Sequence, residues 1–176
     1  MRRVLILGCS GAGKSTLSLA LAERTGLPVI HLDKHYWRAG WVEPPKEEWR
    51  VQVAALTAKP EWIMDGNYSG TVVDRLAVAD TAVVLDFSTA TCLWRVTKRI
   101  AAGYGRTRPD LADGCPEQID LAFFRYVVSF RRNQRPRLIS ALKGFGGRAV
   151  ILSRPSEVPE FLDGLPSRLP PLGRPA

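Results

Sequence analysis

Gly8-Cys9-Ser10-Gly11-Ala12-Gly13-Lys14-Ser15, with Thr16 next, is the segment whose residue types and spacing point most directly to chemistry. It matches G-x-x-x-x-G-K-[ST] at every fixed position, the pattern of a loop that holds nucleotide phosphates. Gly8, Gly11 and Gly13 allow backbone conformations closed to other residues, so successive N–H groups can face phosphate oxygens. The candidate phosphate-binding stretch therefore runs from Gly8 through Ser10, Gly11, Ala12 and Gly13 to Lys14, Ser15 and Thr16. Lys14 suits the β- and γ-phosphates, the Ser15 hydroxyl suits Mg²⁺, and Thr16 a backbone or α-phosphate contact. The side chains of Cys9 and Ser10 occupy variable positions and receive no chemistry.

A phosphate loop of this type needs a carboxylate near its metal. Asp65 ends the apolar run "EWIMD", and the Gly66, Asn67 and Tyr68 that follow favour it; Asp86 in "AVVLDFS" is the competitor, and a cap or turn role is open to both. On the acceptor side stands "HLDKHYW", followed by Trp41. Asp33 suits a group that accepts or orients the proton of an acceptor hydroxyl, with His35 the second choice. Tyr36, Trp37 and Trp41 suit stacking on a flat substrate, or packing in a core or lid.

Arginine neutralises the charge that gathers on a transferring phosphoryl group. Arg106 and Arg108 lie in "GYGRTRPDLADG", whose glycines and proline suit a mobile lid. Arg95 and Arg99 are one helical turn apart. Arg75 is placed to bind the acceptor or to pair with Asp74 or Asp80.

These residues need elements to hold them. Arg3–Leu7 reads as a buried strand, and Lys14–Arg24 as a helix stopped by Gly26. Strands are expected at Pro28–Leu32, Trp62–Met64, Thr81–Phe87 and Ala149–Leu152, and helices at Lys46–Ala58, Thr71–Ala79 and Thr89–Ala102. A long helical region is expected over Ile119–Lys143, interrupted at Pro136. Such alternation implies a parallel sheet with helices on both faces and ligands at the carboxyl ends of the strands. One domain is expected over residues 1–164, with a lid at about 103–118 and a loosely ordered, proline-rich tail at 165–176.

Composition narrows the classes. The 176 residues are 45% hydrophobic and 24% charged, as in an ordered globular chain. No apolar run approaches the roughly 20 residues that span a bilayer. The start "MRRVLILGC" is too briefly apolar for a secretion signal. Three scattered cysteines without a C-x-x-C fit reduced thiols in a cytoplasm. The net charge is +8, and between Asp120 and Glu157 there are eight Lys or Arg and no acid. That block can serve anionic small molecules, nucleic acid or solubility.

The ordered set GCSGAGKST, LD-x-x-Y-W with a following G-W, E-W, W-I-x-D-G-N-Y, R-x-x-x-A-D, R-P-D and G-C-x-E covers most of residues 3–155. It resembles P-loop kinases of the nucleoside-monophosphate and shikimate kinase type. It is more closely similar to the adenylate-kinase-related proteins called DNA topology modulation proteins. The resemblance implies a three-layer α/β/α P-loop NTPase fold with a central five-stranded parallel sheet, a small lid and use of Mg-ATP. It implies phosphate binding at Gly8–Thr16, a metal role for Asp65, and lid roles for Arg106 and Arg108. Adenylate kinases carry D-G-[FY]-P-R at the third strand, whereas this chain reads D-G-N-Y-S.

The expected activity is transfer of the γ-phosphate of ATP to a small-molecule acceptor, with Lys14, Asp33, Arg106 and Arg108 as catalytic candidates. A nucleic-acid-associated ATPase of the topology-modulation type is the alternative, although no helix-turn-helix or aromatic–basic reading module is visible. A guanine-reading N-K-x-D and an LSGGQ signature are both missing from the sequence.

Overall fold

In a computed structural model, which describes residues 1–165, five parallel strands form one sheet in the order β2-β3-β1-β4-β5. The strands are β1 (Arg3–Gly8), β2 (Val29–His31), β3 (Trp62–Asp65), β4 (Thr81–Leu85) and β5 (Arg148–Leu152). The helices are α1 (Lys14–Thr25), α2 (Leu32–Tyr36), α3 (Lys46–Thr57), α4 (Val72–Val78), α5 (Thr89–Gly103), α6 (Leu121–Asn133), α7 (Arg135–Lys143) and α8 (Glu157–Asp163).

β1 is central because it is apolar on both faces: Val4 to Leu7 are completely buried. It pairs with β3 from Arg3↔Trp62 and with β4 from Val4↔Thr81. Strand periodicity then divides its side chains. Val4 and Ile6 face Leu17 and Leu21 of α1, Val96 and Ile100 of α5, and Val127 and Phe130 of α6. Leu5 and Leu7 face Trp49 and Val53 of α3, Leu76 of α4 and Leu138 of α7. The result is a three-layer α/β/α arrangement. The chain leaves β1 toward β2 on one side and returns past it to β4 on the other. That reversal opens a crevice above the carboxyl end of β1, where open α/β sheets bind ligands.

Local signals account for most boundaries. Gly26 ends α1 in the left-handed region, φ 71°, with its N–H donating to the Ala22 carbonyl at 2.7 Å. Ser88 caps α5 by accepting from the Thr91 N–H, and Asp120 caps α6 by accepting from the Ala122 N–H.

Three expectations change. β2 stops at His31, and Leu32 already begins α2, so Asp33 sits on a helical turn rather than at a strand end. The helical region expected over Ile119–Lys143 is two helices that meet at Gln134, because Pro136 fits only the first turn of a new helix. α8 had no counterpart in the sequence reading; Arg24 of α1 fastens its end by donating to the Leu162 carbonyl and the Asp163 carboxylate, both at 2.7 Å. The tail expected at 165–176 lies outside the described residues except for Leu165, which is buried in the core.

Candidate functional site

The loop between β1 and α1 must bend back on itself within a few residues. Gly11 makes this possible: its φ is +82°, and a Cβ there would stand 2.4 Å from the Cys92 carbonyl oxygen. Asn67, just past β3, fixes the loop's entry. Its Oδ1 accepts from the Gly8 N–H at 3.0 Å, and its Nδ2 donates to the Gly8 carbonyl at 2.8 Å. Lys14 folds over the loop and donates to the Gly8 and Cys9 carbonyls at 3.1 and 3.2 Å. Above lies a cleft of about 1290 Å³, lined by the loop residues Ser10 to Thr16 and by Asp33, Asp65, Tyr68, Arg99 and Arg108, among others. That volume suits a nucleotide together with a second small molecule.

Asp65 is 3% exposed at the cleft floor. Its Oδ2 accepts from Ser18 Oγ at 2.6 Å and meets His31 Nδ1 at 2.7 Å. For His31, burial works against the charged form, but the Asp65 hydrogen bond and the charges of Asp65, Asp110 and Asp33 outweigh it and raise the pKa. Asp86 is spent elsewhere: Arg135 grips it with contacts of 2.7–2.9 Å, and Arg131 stands at 3.9 Å. Of the two acids weighed from the sequence, Asp65 is the one that lines the cleft.

The segment that leaves α5 folds back over the loop. Asp110 accepts from Ser15 Oγ at 2.7 Å. Burial would raise its pKa, but Arg108 and the Ser15 hydroxyl outweigh that and hold it below the usual carboxylate range. Arg108 lies 3.4 Å from Asp110 and 2.8 Å from Glu117, and Arg99 meets the same Glu117 oxygen at 2.9 Å. Both Glu117 contacts are short ion pairs, but Arg99 Nε, Arg108 Nε and Glu117 Oε1 remain without aligned hydrogen bonds. Arg95 donates to the Ala12 carbonyl at 3.1 Å.

The donors fit a hard divalent cation. The Ser15 hydroxyl and the carboxylates of Asp110 and Asp65 present oxygen to one cleft. Among the described residues, no three His, Cys, Asp or Glu side chains converge as a protein-only metal cage. Mg²⁺ in nucleotide sites takes one or two carboxylates and completes its shell with phosphate and water.

Lining the same cleft as the glycine-rich loop are α2 and the turn after β3. The Tyr68 hydroxyl donates to Asp33 Oδ1 at 2.6 Å, and burial followed by the Asp33 charge drives its pKa upward, so it stays a donor. Tyr36, Trp37 and Trp41 line the same wall. Tyr68 and Trp41 both have positive φ, 35° and 62°, a costly state for bulky residues that costs about 1–3 kcal/mol each.

The chain matches no protein-family model and no curated protein. Solved structures do resemble it. A shikimate kinase from Bacteroides thetaiotaomicron superposes with a TM-score of 0.55 at 15% identity, over 92% of this chain and 94% of that one. A deoxyadenosine kinase from M. mycoides with bound dATP gives 0.51 at 16% identity, over 91% and 96%. A gluconokinase from Sinorhizobium meliloti gives 0.50 at 15%, over 92% and 87%. The fold is the one these solved structures share.

Within that fold, the sequence-derived candidates are placed unequally. Lys14, Ser15, Thr16, Asp33, Asp65 and Arg108 all line the cleft. Arg106 does not: it is exposed and stands outside the lining, tied to the chain through its backbone. His35 is also exposed and outside the lining. Arg75 departs furthest from expectation. It is 0% exposed, and its guanidinium pairs with neither Asp74 nor Asp80. It donates to the backbone carbonyls of Gly66, Asn67, Tyr68 and Thr71 and so builds the turn that carries Tyr68. Asp110, Glu117 and the His31–Asp65 pair were missed. The R-P-D and G-C-x-E matches held the only signal for the first two, and it did not say what they touch.

Proposed function

We propose that the protein is a phosphotransferase that moves the γ-phosphate of Mg-ATP to the hydroxyl of a small molecule. The observation that carries this reading is the single cleft in which a phosphate loop, a hydroxyl–carboxylate pair at Ser15–Asp110, and an oriented carboxylate at Asp33 face one another. The kinase fold supports it.

Each residue then has a task. The backbone from Gly8 to Thr16 and the positive end of α1 hold the phosphates. Lys14 exchanges its two carbonyl contacts for phosphate oxygens. Ser15, with Asp65 and Asp110, holds Mg²⁺, which neutralises phosphate charge when bound. Arg99 and Arg108, which share one Glu117 oxygen, turn to the transferring group. Asp33 orients the acceptor hydroxyl and takes its proton as the new O–P bond forms and the bond to the bridging oxygen of ADP breaks. The Tyr68 hydrogen bond holds that carboxylate in place. Arg106, in its exposed position, belongs to the lid rather than to the reacting groups.

The test is ADP formation from Mg-ATP across nucleosides, nucleoside monophosphates, sugars and hydroxy acids, with the Lys14→Ala protein as blank. One acceptor class raising ADP release well above the water rate supports the reading. Stimulation by DNA or RNA alone moves the protein to the nucleic-acid-associated class.

A further inference from the structure

The charge of the acceptor wall runs against that of the chain as a whole. The chain is strongly basic, at +8. Yet residues 33–43 and 66–71 contribute to the cleft only two charged groups, the carboxylates of Asp33 and Glu43. The cations near them are turned to other uses. Lys34 is exposed and outside the lining, and Arg38 is paired with Glu48. Arg75 is enclosed by backbone carbonyls beneath the Tyr68 turn. Every Lys or Arg that does line the cleft, Lys14, Arg95, Arg99 and Arg108, stands on the phosphate loop, on α5 or on the segment after it.

Beside Gly66, Asn67 and Ser69, the remainder of the wall is a run of aromatic rings in contact. Tyr36 meets Trp37 at 5.0 Å and Tyr68 at 4.5 Å between ring centroids, and Trp37 meets Trp41 at 5.3 Å. The two residues with strained backbones, Trp41 and Tyr68, both belong to it. Strain held at two ligand-facing aromatics, and fixed there by dedicated bonds, is a mark of a recognition surface. Tyr68 is fixed by Arg75 and Asp33, and Trp41 by its Nε1–H donating to the Pro116 carbonyl at 3.1 Å.

We infer that the acceptor is an uncharged, flat-ringed molecule with a free hydroxyl, of nucleoside chemistry, and that this wall rejects acceptors bearing phosphate or carboxylate. The inference rests on the phosphotransferase reading for its reaction but not for its binding site. The ring lies against Trp37 and Trp41, and the hydroxyl meets the Asp33 oxygen that Tyr68 leaves free. A phosphate or carboxylate on the acceptor would face Glu43 and Asp33 with no cation to offset it.

Binding and turnover test it separately. With the non-hydrolysable β,γ-imido analogue of ATP saturating the donor side, tryptophan fluorescence is titrated with adenosine, guanosine, cytidine and thymidine. The same titration uses their 5′-monophosphates, quinate and glucose. ADP release is then measured with ATP for the same compounds. The expected result is quenching by at least one nucleoside, weaker binding of its monophosphate by about tenfold or more, and a narrower gap in Glu43→Gln. Glu43 is exposed, so that variant keeps its fold. A monophosphate or quinate that binds as tightly as the nucleosides overturns the inference, and so does preference for glucose. Nucleoside binding with the expected charge order but without ADP release upholds the wall's specificity and removes the phosphotransferase reading. Neither binding nor release by any nucleoside overturns both.

Discussion

Lys14 and Asp33 line one cleft in different roles, so substitutions at the two should fail differently. Lys14→Ala is expected to abolish ADP formation and to weaken nucleotide binding, because the lysine meets the phosphates in the ground state and holds the charge gathering on the transferring group more strongly in the transition state. Asp33→Asn is expected to leave ATP binding nearly intact and to lower kcat by about 10²–10⁴-fold, the usual contribution of a positioned base. Equal losses of binding and turnover at Asp33 would make it a nucleotide or structural residue. His31 gives a pH prediction. Its folded pKa is raised, so its ion pair with Asp65 stabilises the fold fully below the unfolded histidine value of about 6.5, and that contribution is lost as pH rises through the folded value. The melting temperature of the wild-type protein should therefore fall relative to His31→Gln as pH climbs through that window. A pH-independent difference would remove the charged pair.

At the scale of elements, the turn between β3 and α4 depends on one side chain. Burial lowers the pKa of Arg75 to about 9, which still leaves it charged at neutral pH, held by carbonyls on all sides. Arg75→Met should unfold in denaturant with a loss of about 3 kcal/mol or more, since several buried carbonyls lose their donor together. A loss under about 1 kcal/mol would mean that water replaces it. The segment after α5 is joined to the loop after α2 by a short seam. The Gly40 N–H donates to the Gly114 carbonyl at 2.8 Å, and Trp41 reaches Pro116. A Cβ at Gly114 would stand 2.8 Å from Ala39, with φ +77° besides. Gly114→Val should open this seam and raise the acceptor KM while nucleotide affinity stays near that of the wild type; unchanged acceptor KM would show that the seam does not shape the site. Helix and strand positions in this region were readable from apolar spacing. The seam was not, because its contacts are mostly backbone groups that any residue supplies.

Over the whole molecule, the excess positive charge is spread away from the acceptor wall. Arg125, Arg132, Arg137, Lys143 and Arg148 are exposed, while Arg131 and Arg135 face Asp86. If the block is a solvated face, DNA binding should be weak, should fall steeply with salt, and should leave ADP release unchanged; DNA-stimulated turnover at physiological salt would refute this. Among the described residues, no helix is long and apolar enough to cross a membrane. By itself the sequence determined the glycine-rich turn between β1 and α1, the alternating elements and the parallel sheet. Phosphate is read by a contiguous stretch of backbone, and buried strands must be continuously apolar, so both signals are local. Only the tertiary structure decided which charges meet: Asp110 on Ser15, Glu117 between Arg99 and Arg108, Asp86 taken by Arg135, Arg75 turned inward, Arg106 left outside. The first three join residues 9–95 positions apart. Electrostatic partnership depends on distance and burial in space, and spacing along the chain does not encode either.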